Sequence, residues 1–317
     1  MAAGTSPPQS IAVIGAGSIG LAWAIAFARG GHDVRLFDPQ DDALRQAPDA
    51  IGKRLERLAD FALIDETPAT IAARIRICGS EAEAVQAAAH VQENAPEKLD
   101  LKRDLMRRLD RLADERATLA SSTSAIPAAQ WAHDLPGRRR CLVIHPANPP
   151  YLIPVVELVP AEFTEAAALE RVRGLMISAG LKPVVVRKEV EGFVFNRLQG
   201  AILREAYCLV RDGVASVEDI DTIMREGLGL RWSFMGPFET AELNTKGGIA
   251  AHAERMGPAY RRMGAERGQD DPWTPELVAK VEAERRALLP LAQWQDRVLW
   301  RDEMLMRLLA CKRRKDR

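Results

Sequence analysis

The chain has 317 residues, 47% hydrophobic and 28% charged, enough for two domains with buried cores. Its 44 Lys and Arg balance its 44 Asp and Glu, so no net charge draws it to nucleic acid or a membrane surface, although one or two placed cations would still hold a small acidic substrate. Cys78, Cys141, Cys208 and Cys311 are far apart and show no metal-ligand spacing, which points to reduced thiols in a cytoplasmic protein with neither a disulfide framework nor a metal.

No apolar run reaches the roughly 18 residues of a membrane-spanning helix. The opening MAAGTSPPQS has no Lys or Arg to make a secretory leader, and residues 1–9 are expected to be disordered. Residues 10–15 (SIAVIG) read as a buried strand, 18–30 as a helix ending at glycine, and 33–38 (DVRLFD) as a second strand. A polar helical stretch covers about 40–60. Strand candidates follow at 74–78 (RIRIC), 90–94 (HVQEN), 117–123 (ATLASST), 141–145 (CLVIH), 155–159 (VVELV) and 182–187 (KPVVVR). Helices are expected at 97–114, with Leu99, Leu101, Leu105, Met106, Leu109 and Leu112 as its apolar set, and at 164–179.

Alternating strands and helices predict a mostly parallel sheet covered on both faces. Beyond about residue 188 the pattern turns helical, at 193–211, 216–227, 236–245, 274–288 and 291–312. This predicts a dinucleotide-binding domain over 10–188 and a helical substrate and dimerisation domain over 189–317. RGQDDP (267–272) reads as an exposed loop and KRRKDR (312–317) as a solvated basic helix end.

Gly15, Gly17 and Gly20 form G-x-G-x-x-G between the first strand and the first helix. In that setting they serve a tight turn, close approach to a pyrophosphate and close helix–strand packing. Ser18 and Ile19 open the helix whose N-terminus would face the phosphates. Asp38 ends the second strand 23 residues after Gly15. A carboxylate there accepts the ribose hydroxyls of NAD and repels the extra phosphate of NADP, and Pro39 and Gln40 offer no cation to hold that phosphate. NAD is therefore the expected cofactor.

Ser121, Ser122, Thr123 and Ser124 follow the fifth strand. His145 closes the next, and Glu157 lies 12 residues later inside the apolar VVELV. A carboxylate in such a run needs a partner, and His145 is a natural one. The Ser/Thr cluster also fits a turn or a helix cap, and Asn196, in GFVFNRLQ, also fits a helix cap.

Five ordered segments together resemble the 3-hydroxyacyl-CoA dehydrogenase family: QENAPEKLDLKRDL (92–105), SSTSAIP (121–127), HPANPPYLIPVVELVP (145–160), GFVFNRLQ (192–199) and EGLGLRWSFMGPFET (226–240). Within it the chain is most similar to the lambda-crystallin / L-gulonate 3-dehydrogenase branch, and carnitine dehydrogenases resemble the same segments. The resemblance implies an α/β fold, a Rossmann-type doubly wound sheet followed by an all-helical C-terminal domain that forms a homodimer. It implies that His145 is the general acid/base and that Glu157 orients it. Ser124 would contact the substrate oxygen and Asn196 would sit near the reacting carbonyl. Glu93 and Lys98 would line the nicotinamide side of the NAD site, and Ser122 matches a position that is Asn in the acyl-CoA enzymes.

These expectations describe an NAD-dependent enzyme that oxidises the 3-hydroxyl of a small, L-gulonate-like 3-hydroxy acid. Arg231, beside Trp232 after a glycine-flanked bend, is the candidate for its carboxylate; an interface or surface role fits equally. A 3-hydroxyacyl-CoA thioester and carnitine remain alternatives. For carnitine, Trp232, Phe234 and Phe238 could cage the ammonium, though their spacing fits core packing better. A structural, crystallin-like NAD-binding protein is an alternative of another class, against which the full set Ser124, His145, Glu157 and Asn196 argues.

Overall fold

The computed structural model describes residues 7–246, 248–267, 275–288 and 290–315. The chain divides into two compact units, one comprising residues up to Arg197 together with Val298 onward, the other Leu198–Arg297.

The first unit is built on one 8-stranded sheet. Its strands are β1 (Ser10–Ile14), β2 (Asp33–Phe37), β3 (Ile75–Ile77), β4 (His90–Glu93), β5 (Thr118–Ser121), β6 (Cys141–Pro146), β7 (Val155–Pro160) and β8 (Lys182–Val185), in the order β3-β2-β1-β4-β5-β6-β7-β8. All neighbours are parallel except β6 and β7, which are antiparallel. Helices cover both faces: α1 (Ser18–Arg29), α2 (Asp41–Asp60), α3 (Pro68–Ala72), α4 (Glu81–Val85), α5 (Leu99–Leu112), α6 (Ala128–Ala132) and α7 (Ala166–Ser178).

The alternation of each strand decides which helices it meets. Ile11 and Val13 of β1, with Leu142 and Ile144 of β6, join Trp23, Phe27, Leu55 and Met176 in one core. Ala12 and Ile14, with Val91, Leu119 and Val143, join Leu105, Met106, Leu109 and Trp131 in the other. Each large aliphatic side chain buried this way is worth about 1.5–3 kcal/mol.

Several details differ from the expectations. Leu101 and Leu112 are exposed, while Lys102 on the same helix is buried. The short helices α3, α4 and α6 were not expected; Thr67 and Ser80 cap the first two by accepting the amides of Thr70 and Glu83. Gln9, placed in the expected disordered leader, accepts the Asp33 amide at 3.0 Å. Residues 1–6, most of the RGQDDP loop and residues 316–317 of the basic tail lie outside the described residues.

The second unit is helical. It comprises most of α8 (Phe195–Arg211), then α9 (Val217–Thr222), a π-helix (Ile223–Leu228), α10 (Gly229–Trp232), α11 (Pro237–Leu243), α12 (Gly248–Glu266) and α13 (Pro275–Leu288). The helix at 248–266 is absent from the expected set, and it continues through Pro258. Ser216 starts α9 with a reciprocal capping box to Asp219. The last helix, α14 (Trp294–Lys315), runs back into the first unit. There Met306 is buried in a core with Leu305 and Leu309 packed against it, whereas the expectation assigned all of 189–317 to one domain. Among the described residues no helix is long and apolar enough to cross a membrane.

Candidate active site

The glycine motif forms the turn between β1 and α1. Gly15 has φ +103°, a conformation that side-chain-bearing residues rarely adopt. A Cβ on Gly20 would lie 1.8 Å from the Gly15 carbonyl oxygen, so only glycine lets the helix close on the turn. A Cβ on Gly17 would meet nothing within 4 Å, which leaves the loop's outer side open. Gly17 is the N-cap and makes no side-chain cap, so the first-turn amides from Ser18 and Ile19 onward keep their donors for an anion. Asp38 lies beside this loop, its carboxylate accepting the Ala16 amide at 2.7 Å and the Gln40 amide at 2.8 Å. An open cradle at a helix N-terminus, with an acid at the next strand's end, fits a dinucleotide.

The other expected cofactor residues are placed differently. Glu93 is fully buried. Its two oxygens lie 3.1 Å from Lys102 Nζ, and it also accepts from Ser121 Oγ and the Ala95 amide. Lys98 is the exposed N-cap of α5, and the lysine that turns inward is Lys102, one turn later. The open carboxylate of this segment is Glu97. Its Oε1 accepts from Thr123 Oγ1 and from the amides of Ser124 and Ala125 at 3.2 Å, and its Oε2 lies 3.6 Å from Lys102 Nζ. Glu97 and Lys102 keep the five-residue spacing of Glu93 and Lys98, so the sequence holds two such acid–lysine pairs. Lys98 is the extended N-cap, outside the helix, whereas Lys102 lies within α5 on its buried face, and this distinguishes them.

Ser122 is also engaged within the protein. Its Oγ accepts from Trp23 Nε1 at 2.9 Å and Gln92 Nε2 at 2.7 Å, and donates to Asn94 Oδ1 at 2.7 Å. Asn94 in turn donates to the carbonyls of Ile14 and Gln92, next to the glycine turn. Ser122 thus supports the loop from beneath, its proton already committed. Polar residues at alternate positions of a fully buried strand, His90 and Gln92, are the signal that announces this network.

The antiparallel ladder of β6 and β7 places His145 directly opposite Glu157. Cross-strand neighbours on one face lie about 4.5–5.5 Å apart at Cβ, within reach of a direct hydrogen bond. His145 Nδ1 is 2.8 Å from Glu157 Oε2, both side chains buried. A carboxylate only accepts, so Nδ1 carries the proton and Nε2 is the ring's basic nitrogen. Burial alone would push the Glu157 carboxyl up, but the His145 hydrogen bond and the amides of Phe195 and Val194 together hold it below its ordinary range.

Ser124 sits on an exposed turn, and its carbonyl accepts Asn196 Nδ2 at 3.1 Å. Asn196 is thus tied to the Ser124 turn by its side chain, and it is not a helix cap, being the second residue of α8. Arg231, in the second unit, is exposed, with Nη1 3.2 Å from Asn244 Oδ1. Phe234 and Phe238 are 73% and 81% exposed, so they are not the core residues their spacing suggested.

Residues 10–190 match the 3-hydroxyacyl-CoA dehydrogenase NAD binding domain, and residues 192–291 match the C-terminal domain of the same enzymes. The chain belongs to the 3-hydroxyacyl-CoA dehydrogenase family. A lambda-crystallin homolog from Bos taurus is 38% identical over 316 residues, covering 98% of this chain and 97% of the relative. L-carnitine dehydrogenase from Streptomyces coelicolor is 40% identical over 288 residues, covering 88% and 85%. Among solved structures, that of 5-formyl-3-hydroxy-2-methylpyridine 4-carboxylic acid 5-dehydrogenase, an NAD+ dependent dismutase, superposes with a TM-score of 0.82 at 28% identity, covering 96% of this chain and 98% of that one. This family member is an NAD-dependent dehydrogenase.

Proposed function

We propose that the enzyme oxidises the 3-hydroxyl of a small, free 3-hydroxy acid resembling L-gulonate, with His145 and Glu157 transferring the proton. The observation that carries this is the buried cross-strand pair, in which Glu157 accepts a hydrogen bond from His145 Nδ1–H at 2.8 Å and leaves Nε2 as the base. His145 accepts the hydroxyl proton at Nε2, and Glu157 stabilises the imidazolium that forms; such general-base help is worth roughly 10²–10⁴ in rate. Ser124 and Asn196 hydrogen-bond the reacting oxygen. Bound NAD supplies the acceptor for the hydride leaving C3. The glycine turn, with Ser18 and Ile19, holds its pyrophosphate and Asp38 its ribose, while Glu97 and Lys102 border the same loops. Arg231 binds the substrate carboxylate.

The free-acid reading is supported by the L-carnitine dehydrogenase relative, which is named for a substrate that is not a thioester. Carnitine is the second reading, favoured by the exposure of Phe234 and Phe238, which could face a quaternary ammonium. The proposal includes a cytoplasmic homodimer joined through the helical region, whose exposed Phe234, Phe238 and Leu243 suit burial against a second copy. The expected mass in solution is twice 34.9 kDa.

The test is NADH formation with L-gulonate, 3-hydroxybutyrate, L-carnitine and 3-hydroxybutyryl-CoA. A preference for L-gulonate or 3-hydroxybutyrate supports the reading, and a preference for the thioester overturns the substrate class and the role of Arg231. His145→Ala is expected to lower kcat by roughly 10²–10⁴ with NAD affinity unchanged. Normal turnover with weakened NAD binding would refute the role of His145.

A further inference from the structure

The Glu157 carboxylate is gripped on its far side by the segment that leads into α8. Gly192 and Phe193 are consecutive left-handed residues, with φ +74° and +49°. A bulky residue in that region is a genuine outlier, and such outliers gather where the backbone has a task. Room does not explain Gly192, because a Cβ there would make only ordinary contacts at 3.6 Å and beyond. The reversal turns the next two amides the same way. Val194 N–H and Phe195 N–H both donate to Glu157 Oε1, at 2.8 and 2.9 Å. Successive N–H groups converging on one oxygen form an anion-binding nest in the backbone.

The side chain of Phe193 serves the same place. It is fully buried, and its ring centroid lies 5.6 Å from that of His145. One residue therefore aims two donors at the carboxylate through its backbone and braces the imidazole with its ring.

We propose that Phe193 is a positioning residue for the His145–Glu157 pair: its left-handed backbone fixes Glu157 Oε1 in the Val194–Phe195 nest, so that Oε2 is held toward His145 Nδ1. The proposal rests on the reading that this pair transfers the proton. With Oε1 released, the carboxylate rotates and His145 loses the partner that sets its tautomer. The NAD loop, at the far side of β5 in the sheet order, is untouched.

Two substitutions in the full-length enzyme separate this role from packing. Valine fills more of the vacated space than glycine, so a packing role makes Phe193→Val the better enzyme. Glycine adopts the left-handed conformation freely and valine does not, so positioning makes Phe193→Gly the better one. The readouts are kcat, the KM for NAD, and the downfield Nδ1 proton of His145 in 15N-histidine-labelled protein, assigned by its absence in His145→Gln. Phe193→Gly, which gives up the ring's brace on His145 but keeps the left-handed backbone, is expected to keep the resonance and to retain more of the parent's kcat than Phe193→Val. Phe193→Val is expected to lose the resonance and roughly 10- to 100-fold in kcat, with an unchanged KM for NAD.

If either variant fails to fold, Phe195→Pro against Phe195→Ala removes one donor at a helix position that tolerates proline. The proline variant is then expected to weaken the resonance and kcat. A valine variant equal to or better than the glycine one, or a proline variant equal to alanine in both readouts, overturns the proposal. If His145→Ala retains turnover, the proton-transfer reading fails, while the resonance comparison still judges the nest.

Discussion

Acid should loosen this fold through a residue outside the chemistry. His90 begins β4 and is 1% exposed. Its Nδ1 lies 2.7 Å from Thr118 Oγ1 and its Nε2 3.0 Å from Gln92 Oε1, so neutral partners occupy both nitrogens. Burial pushes its pKa down to about 4; the Gln92 hydrogen bond opposes the shift and the charge of His32 adds to it. As pH falls, the unfolded chain takes up this proton near the ordinary value of 6.5, while the folded chain resists until about 4. The contribution to stability is therefore full above 6.5 and drains away as pH falls toward 4. The gap between the two values corresponds to about 3 kcal/mol. The assay is urea denaturation followed by circular dichroism, comparing the parent with His90→Gln at several values from about pH 7 to about pH 4. The variant keeps a donor for Gln92 but cannot titrate. It is expected to be less stable than the parent at neutral pH and to lose about 3 kcal/mol less on acidification. His32, also pushed down by burial, is present in both proteins and cancels. Two stability curves that run parallel across this range would refute the reasoning.

Lys102→Met should destabilise the first unit by roughly 3–5 kcal/mol, because it strands the fully buried Glu93 carboxylate. Adding Glu93→Gln should recover part of that loss, and equal stabilities for the single and double variants in a denaturant titration would contradict it. Gly20→Ala places a methyl group 1.8 Å from the Gly15 carbonyl and must displace the turn. NAD affinity measured by calorimetry should fall by at least about tenfold, alongside about 1–3 kcal/mol of stability. Asp38→Ala should raise the KM for NAD and leave kcat nearly unchanged, and an unaltered KM would remove Asp38 from the ribose site.

The strands were legible because burial on both faces makes them short apolar runs, and the glycine turn because its residues have no substitutes. The His145–Glu157 pair was legible for a related reason: an acid inside VVELV has no cheap place to go except against a partner. What escaped depends on tertiary context. The five-residue helices α3, α4 and α6 are too short to show periodicity. Lys102 lies outside the apolar set expected for its helix, and only its place on the buried face of α5, against Glu93, reveals it as an interior cation. The Phe193 nest could not be read at all, since a phenylalanine gives no hint of a left-handed backbone. Gly192 beside it was the single clue.

The placement of His145 opposite Glu157 by a backbone ladder has a consequence for how this scaffold can vary. The two residues owe their meeting to the pairing of β6 with β7; residues 147–154, which return the chain and bury Tyr151 and Leu152 in the core, lie outside that pairing. Insertions or deletions in that return leave the pair facing each other as long as the ladder keeps its register. A slip of a single residue, in contrast, would throw one partner to the opposite face of the sheet. The loops and helices around the sheet can thus change by small steps, while the buried His145–Glu157 pair is kept whole or lost at one step.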